Sequence, residues 1–301
     1  MTIDDQSGFV RRLPQVSVVI PHYRDLAGLD RCLRALSKQD FPAAEFEIVV
    51  ADNNSPEGRD EIAKVISGRA RLVVVHEPGA GPARNGAVEI ARGEILAFTD
   101  SDCVPEPSWL REGIAALEHH DFIGGKVVVL VDDLYRMTSV EAFERVFAFD
   151  FKSYIEKKGF TGAGNLFCKR NVFDRVGGFR AQVSEDVEWS HRATSLGLKL
   201  GYAPKAVVGH PARRSWDQLK SKWKRVNAET YKLYCERPAG RAIWIFRTAL
   251  LPLSALVHTP KIFFSDDLKT LSQRLAAMKV LWTIRCWRFA DALSLTRGAR
   301  V

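Results

Sequence analysis

Short apolar, β-branched runs alternate with helical stripes through the first hundred residues. Gln15-Val-Ser-Val-Val-Ile20, closed by Pro21, reads as a buried strand. Leu29, Cys32, Leu33 and Leu36 then fall at i, i+3, i+4 and i+7, one face of a helix. Phe46–Ala51 predicts a second strand, stopped by Asp52-Asn53-Asn54-Ser55-Pro56. A helix around Arg59–Ser67, a strand at Leu72–His76, a helix at Ala83–Arg92 and a strand at Ile95–Thr99 follow. Four strand–helix alternations imply a mainly parallel sheet covered by helices. Ligands of such sheets bind beyond the carboxyl ends of the strands. Polar clusters stand at three of those ends: His22-Tyr23-Arg24, Asp52-Asn53-Asn54 and Asp100-Ser101-Asp102.

The middle of the chain is less regular. Phe122–Val131 predicts a strand, Val140–Lys157 an amphipathic helix, and Gly162–Lys169 a glycine-rich turn entering a strand. Glu185–Leu196 predicts a helix capped by Ser184; short strands at Leu200–Tyr202 and Ala206–Val208 precede His210. From Trp216 onward the pattern is helical, over Gln218–Tyr234, Ile243–Leu251 and Leu271–Leu295. Three parts are expected: an N-terminal extension (1–14), a catalytic α/β domain (15–215) and a helical region (216–301).

Charge sharpens that division. The whole chain carries a formal +8, but residues 205–301 hold 19 Lys/Arg against 6 Asp/Glu, and residues 1–204 hold 25 against 30. With Trp244, Trp282 and Trp287 set among cations, the C-terminal helices suit an anionic membrane surface. The alternative is a helical pair packed on the domain with solvated cations. Thr248–Pro260, the longest uncharged C-terminal stretch, is thirteen residues, so no spanning helix is expected. The N-terminus lacks the apolar core of a signal peptide. Five scattered cysteines without a CxxC argue against a disulfide framework or a zinc site and favour a reducing cytosol.

Asp100-Ser101-Asp102 is the sharpest chemical feature, because two carboxylates at a strand end can hold a hard divalent cation. Together with Gly81-Pro-Ala-Arg84-Asn85-Gly86 and Gly93–Thr99 it resembles the nucleotide-sugar site of GT-A glycosyltransferases of family 2. Val16–Tyr23, Phe46–Ser55 and Ser184-Glu185-Asp186-Val187-Glu188 resemble three further motifs of that family, in order, over roughly residues 15–210.

The resemblance implies a Rossmann-like GT-A fold with a mixed, mainly parallel sheet and a basic amphipathic helical extension. It implies a metal-dependent, inverting transfer from a UDP-sugar. Asp52 would face the uracil, with Pro21 and His22 lining the pocket and Tyr23 and Arg24 beside it. Asn53 stands where the family often has a second Asp. Arg84 would lie near base and phosphates; Asp100 and Ser101 would meet the ribose side. Asp102 would ligate Mg²⁺ or Mn²⁺, with His210 a further ligand. Asp186 is the expected catalytic base and Glu185 its neighbour orienting the acceptor or the loop, while both also complement the positive N-terminus of their helix. Gly164 and Asn165 would line the donor pocket, and Arg213 and Arg214 would fold over the diphosphate.

The Gln-x-x-Arg-Trp motif of processive synthases is absent, so a single addition is expected. The expected acceptor is a polyprenyl-linked saccharide of an exported polysaccharide, and the expected location the cytoplasmic face of the plasma membrane. Two rivals remain: a nucleotidyltransferase, which would more often carry a glycine-rich loop after the first strand, and a non-catalytic basic protein binding membrane or nucleic acid. No nucleic-acid-binding motif is present, and no nucleic acid partner is expected.

Overall fold

The computed structural model describes residues 13–297. All but the last two residues of the expected N-terminal extension therefore lie outside the described residues. The chain runs β1 (Val16–His22), α1 (Leu26–Leu36), β2 (Phe46–Asp52), α2 (Arg59–Ile66), β3 (Arg71–Val74), α3 (Ala80–Ile90) and β4 (Ile95–Thr99). Next come β5 (Val104–Pro105), α4 (Trp109–Ala116), β6 (Phe122–Leu130), α5 (Ser139–Phe147), α6 (Phe151–Lys158), β7 (Asn165–Lys169) and α7 (Arg170–Val176). Then follow α8 (Glu185–Ser195), β8 (Leu200–Pro211), α9 (Trp216–Cys235), α10 (Gly240–Ala249), α11 (Leu251–Phe263) and α12 (Leu271–Thr296).

One eight-stranded sheet has the order β3-β2-β1-β4-β7-β6-β8-β5. The β1–β2, β2–β3, β1–β4 and β6–β8 pairs are parallel; β7 runs antiparallel to β4 and β6, and β5 antiparallel to β8. Successive side chains of a strand point to opposite faces, and β1 divides accordingly. Val16, Val18 and Ile20 pack with the α1 stripe Leu29, Cys32, Leu33 and Leu36. Val19 packs on the other face with Ala83, Ala87, Phe98 and Trp189.

The structure departs from the pattern in four respects. The single helix expected over Val140–Lys157 is two, α5 and α6, because Phe149 takes φ 57° and Asp150 caps a new helix from Ser153 N. The two short strands expected at Leu200–Tyr202 and Ala206–Val208 are one strand, β8, whose register against β6 slips between Gly125 and Lys126. The helices α4 and α7 were not read from the pattern; both are short, at eight and seven residues.

The fourth revision concerns the C-terminal helices. Their tryptophans do not form an outward stripe. Trp244 is buried and donates through Nε1 to Ala292 O (3.0 Å), locking α10 to α12. Trp216, Trp223 and Trp287 pack around a core in which Val140 and Phe143 of α5 meet Leu219, Ile262, Leu281 and Ile284. Trp282 of α12 is exposed, with Leu271 and Leu275, but the larger exposed apolar surface lies on α10 and α11, where Phe246 is 66% exposed, Leu253 and Leu256 59% and Val257 76%. No single described helix is long and apolar enough to cross a membrane; α10 and α11 reach the necessary length and composition only together, bent by 51°.

Candidate active site

The parallel register brings His22 and Asp52 side by side at the ends of β1 and β2. Asp52 is buried; its carboxylate accepts from Ser55 N (2.9 Å) and Ser55 Oγ (2.5 Å), and Ser55 Oγ in turn accepts from Arg24 N (3.0 Å). Neither ring nitrogen of His22 has a hydrogen-bond partner among the described residues, although the side chain is 1% exposed. Burial pushes its pKa down against the pull of Asp52, which favours the neutral ring. A buried imidazole with both nitrogens open is suited to a planar ligand carrying its own donors and acceptors. Pro21 lies beside it in β1, while Tyr23 is half exposed beneath the Arg24 guanidinium at 5.0 Å.

Asn53, beside Asp52, is engaged with the backbone of the loop between β3 and α3. Its Nδ2 donates to Val75 O (3.0 Å) and Glu77 O (2.7 Å), and its Oδ1 accepts from Gly79 N (2.8 Å). The amide thus fixes the loop that starts α3. A carboxylate could not donate to those two carbonyls, which explains Asn at this position.

α3 carries Arg84 into the centre of the site. Its Nη2 donates to Asp100 Oδ1 (2.6 Å) and its Nη1 to Glu185 Oε1 (2.7 Å), with the side chain 4% exposed. One buried guanidinium therefore ties the end of β4 to the start of α8. Gly81 makes the approach possible, because a Cβ there would stand 3.1 Å from Arg180 O and 3.3 Å from Glu185 Cβ. Gly164 is equally confined: a Cβ would lie 2.8 Å from Asp100 Oδ2.

Ligand atoms of Asp100, Asp102 and Cys103 lie within 4.8 Å of one another. Burial, followed by Asp100, raises the Asp102 pKa, and His210 and Arg213 oppose the rise. His210 Nε2 faces Asp102 Oδ2 at 3.4 Å, and Nδ1 stands 2.7 Å from Pro211 O. A carbonyl can only accept, so Nδ1 carries the proton. In the neutral ring Nε2 then presents a lone pair to a carboxylate, an apposition that a cation resolves. Two carboxylates and an imidazole match the oxygen-rich preference of Mg²⁺ or Mn²⁺, and burial holds the Cys103 thiol protonated. The residues present fit a divalent cation.

Asp186, at the N-terminal turn of α8, accepts Val187 N (2.8 Å) on Oδ1. Burial, then the Glu185 charge, pushes its pKa up to about 6, against the pull of Arg84. Such a carboxylate is ionised at neutral pH yet a better proton acceptor than a solvated one. Pattern reading missed Glu229 on α9, raised to about 7 by burial and by its nearness to Glu185 and Asp186. Nothing in the spacing of a basic helix marks one Glu as facing a site formed by other elements.

The expected arginine pair separates. Arg213 is held inside, its N and Nη1 donating to the buried Glu144 at 2.8 and 2.9 Å. Lys222 reaches the same carboxylate at 3.4 Å and is pushed down to about 8 by burial and by Arg213. Arg214 is exposed and pairs with Asp132 (2.8 Å) and with the buried Glu141 (3.4 Å). Asn165 is fully engaged in the wall: it accepts from Trp109 Nε1 (2.9 Å) and donates to Lys126 O and Ala206 O (both 2.9 Å). Those carbonyls are left free by the register slip between β6 and β8, so its side chain braces the sheet. Ser101 is half-buried in the turn between the two aspartates, which Cys103 N closes onto Asp100 O (3.1 Å).

Comparison with known proteins gives the family of the chain. The model of glycosyl transferase family 2 matches residues 17–188. Glycosyltransferase AglE of Haloferax volcanii is 30% identical over 290 residues, covering 93% of this chain and 94% of that protein. Among solved structures, the mannosyltransferase PcManGT from Pyrobaculum calidifontis, in complex with GDP-Man and Mn²⁺, superimposes with a TM-score of 0.62 at 18% identity, over 96% of this chain and 89% of that one. Staphylococcus aureus TarS 1–349 in complex with UDP-GlcNAc gives 0.52 at 19% identity, over 93% and 71%. The sheet is that of the GT-A glycosyltransferases, and the chain belongs to glycosyltransferase family 2.

Proposed function

We propose that this protein transfers one sugar, with inversion, from a UDP-sugar to a hydroxyl of a lipid-linked saccharide at the cytoplasmic face of the membrane. The observation that carries the reading is the Arg84 bridge, which holds the Asp100–Asp102 turn and the Glu185–Asp186 turn in one site.

Asp52 and His22 would receive the uracil, with Asp100 on the ribose side. Asp102, Asp100 and His210 would hold the divalent cation, which supplies charge stabilisation to the diphosphate when bound. Arg213 and Lys222, gathered on Glu144, add fixed positive charge on the same side. The acceptor hydroxyl attacks C1 from the face opposite the diphosphate. The new C–O bond forms as the C1–O(phosphate) bond breaks, the electron pair leaves with UDP, and the hydroxyl proton passes to Asp186. The exposed apolar face of α10–α11, with its flanking cations, supports the membrane location and, through it, a lipid-linked acceptor. A role in assembling an exported polysaccharide fits a single addition to such an acceptor.

The test is a panel of UDP- and GDP-sugars with Mg²⁺ or Mn²⁺, scored for nucleotide release and for transfer to polyprenyl-linked saccharides. One UDP-sugar should be consumed with product on the lipid fraction. Turnover confined to GDP-sugars, or transfer only to water-soluble saccharides, would overturn the corresponding half of the reading.

A further inference from the structure

Four cations lie near enough to repel one another: Lys158 at the end of α6, Arg247 on α10, and Arg285 and Arg288 on α12. Among the described residues none of them is ion-paired with a carboxylate. Arg288 lies over the Trp223 ring at 3.6 Å and makes only long bonds, 3.3 and 3.4 Å, to Asn227 Oδ1. Arg247 sits 5.3 Å from the Tyr234 ring centre and Lys158 Nζ 4.8 Å from that of Tyr154. The two nearest acids are engaged elsewhere, Asp291 accepting from Asn227 (2.9 Å) and Asp150 paired with Lys261 (3.6 Å). Burial and mutual repulsion hold Lys158 below its ordinary range and bring Arg288 down to about 9. Like charges brought together and partly desolvated are costly unless an anion joins them.

Two further features say which anion. Tyr154, whose ring lies under Lys158 Nζ at 4.8 Å, is near enough to both the base and this cluster for the charges of Asp186 and Arg288 to reach its hydroxyl. Beyond Arg247, the neighbouring Phe246, Leu250 and Leu253 are exposed, so an apolar surface begins where the cations end. A ligand spanning both surfaces has an anionic head and a hydrocarbon tail. We propose that Lys158, Arg247, Arg285 and Arg288 form the subsite for the phosphate ester of the acceptor, whose lipid runs along α10–α11 and whose reacting hydroxyl reaches Asp186 past Tyr154. This rests on the reading of the acceptor as lipid-linked.

The test uses the full chain and the double variant Lys158→Ala/Arg247→Ala, both exposed positions whose truncation spares the core. Flotation would compare phosphatidylcholine vesicles doped with polyprenyl phosphate against vesicles of equal charge doped with phosphatidylglycerol. Losing two charge-assisted contacts should weaken binding to polyprenyl phosphate roughly ten- to hundredfold, and binding to phosphatidylglycerol by less than about twofold. The KM for a polyprenyl-linked acceptor should rise by the same factor, with the donor KM nearly constant. Equal losses on both vesicles would reduce the cluster to a general headgroup contact and overturn the subsite. So would an unchanged acceptor KM while wild type uses the lipid-linked acceptor. Wild type that ignores polyprenyl-linked acceptors yet glycosylates soluble ones would instead sink the lipid-linked reading and the subsite with it. Arg285→Gln, which leaves a polar group in place, should repeat the acceptor effect.

Discussion

Asp186→Asn should abolish transfer while leaving UDP binding intact. Removing a general base costs on the order of 10²–10⁴ in rate, and the amide cannot take the hydroxyl proton. Arg84 should hold the turn, because its partners are Glu185 and Asp100 rather than Asp186. In the wild type, kcat should rise with pH through about 6, where the Asp186 carboxyl loses its proton, and plateau above. The stability effect has the opposite sign. A carboxyl whose pKa is raised by folding favours the fold most below its unfolded pKa, and that advantage is lost as pH rises through about 6. The neutral Asn should therefore leave the thermal midpoint at pH 7.5 equal or higher. Retained turnover in a folded Asp186→Asn variant would remove the base assignment.

Asp102→Ala should show the second large effect. Loss of a carboxylate ligand should weaken UDP binding in Mn²⁺ by roughly a hundredfold. The same variant in EDTA should differ little from wild type in EDTA, because the uracil contacts at Asp52 and His22 are untouched. Excess EDTA should likewise suppress wild-type transfer, and Mn²⁺ or Mg²⁺ should restore it. Full activity in EDTA would exclude the cation from the reaction, whatever its place between Asp102 and His210.

Much of the front half was legible because its signals are local. Apolar runs of β1, β2 and β4 end in polar clusters, and parallel register alone then places His22 against Asp52. Asp186 is singled out by the resemblance of Ser184–Glu188 to a family motif, and the structure sets it in the first turn of α8. What the pattern does not show depends on contacts between distant segments. Asn53 and Asn165 look like ligand-binding amides, yet each satisfies carbonyls left open by a loop or a sheet irregularity. Arg213 and Arg214 are adjacent, but Arg213 is drawn inside by the buried Glu144, sixty-nine positions away, while Arg214 stays exposed between Asp132 and Glu141. The tryptophans of the basic helices looked like an interfacial belt and are mostly packing groups, so the apolar surface moved to α10–α11. The four unpaired cations belong to α6, α10 and α12, and no window along the chain contains them together.

Calorimetric titration of the full chain with UDP and with GDP, in Mn²⁺ and in EDTA, tests the nucleotide and metal assignments together. UDP should bind at least about tenfold more tightly than GDP in Mn²⁺, a difference of about 1.4 kcal/mol, and should lose most of its affinity in EDTA. GDP binding as tightly as UDP, or UDP affinity indifferent to EDTA, would contradict a uridine diphosphate site built on Asp52, His22 and Asp102.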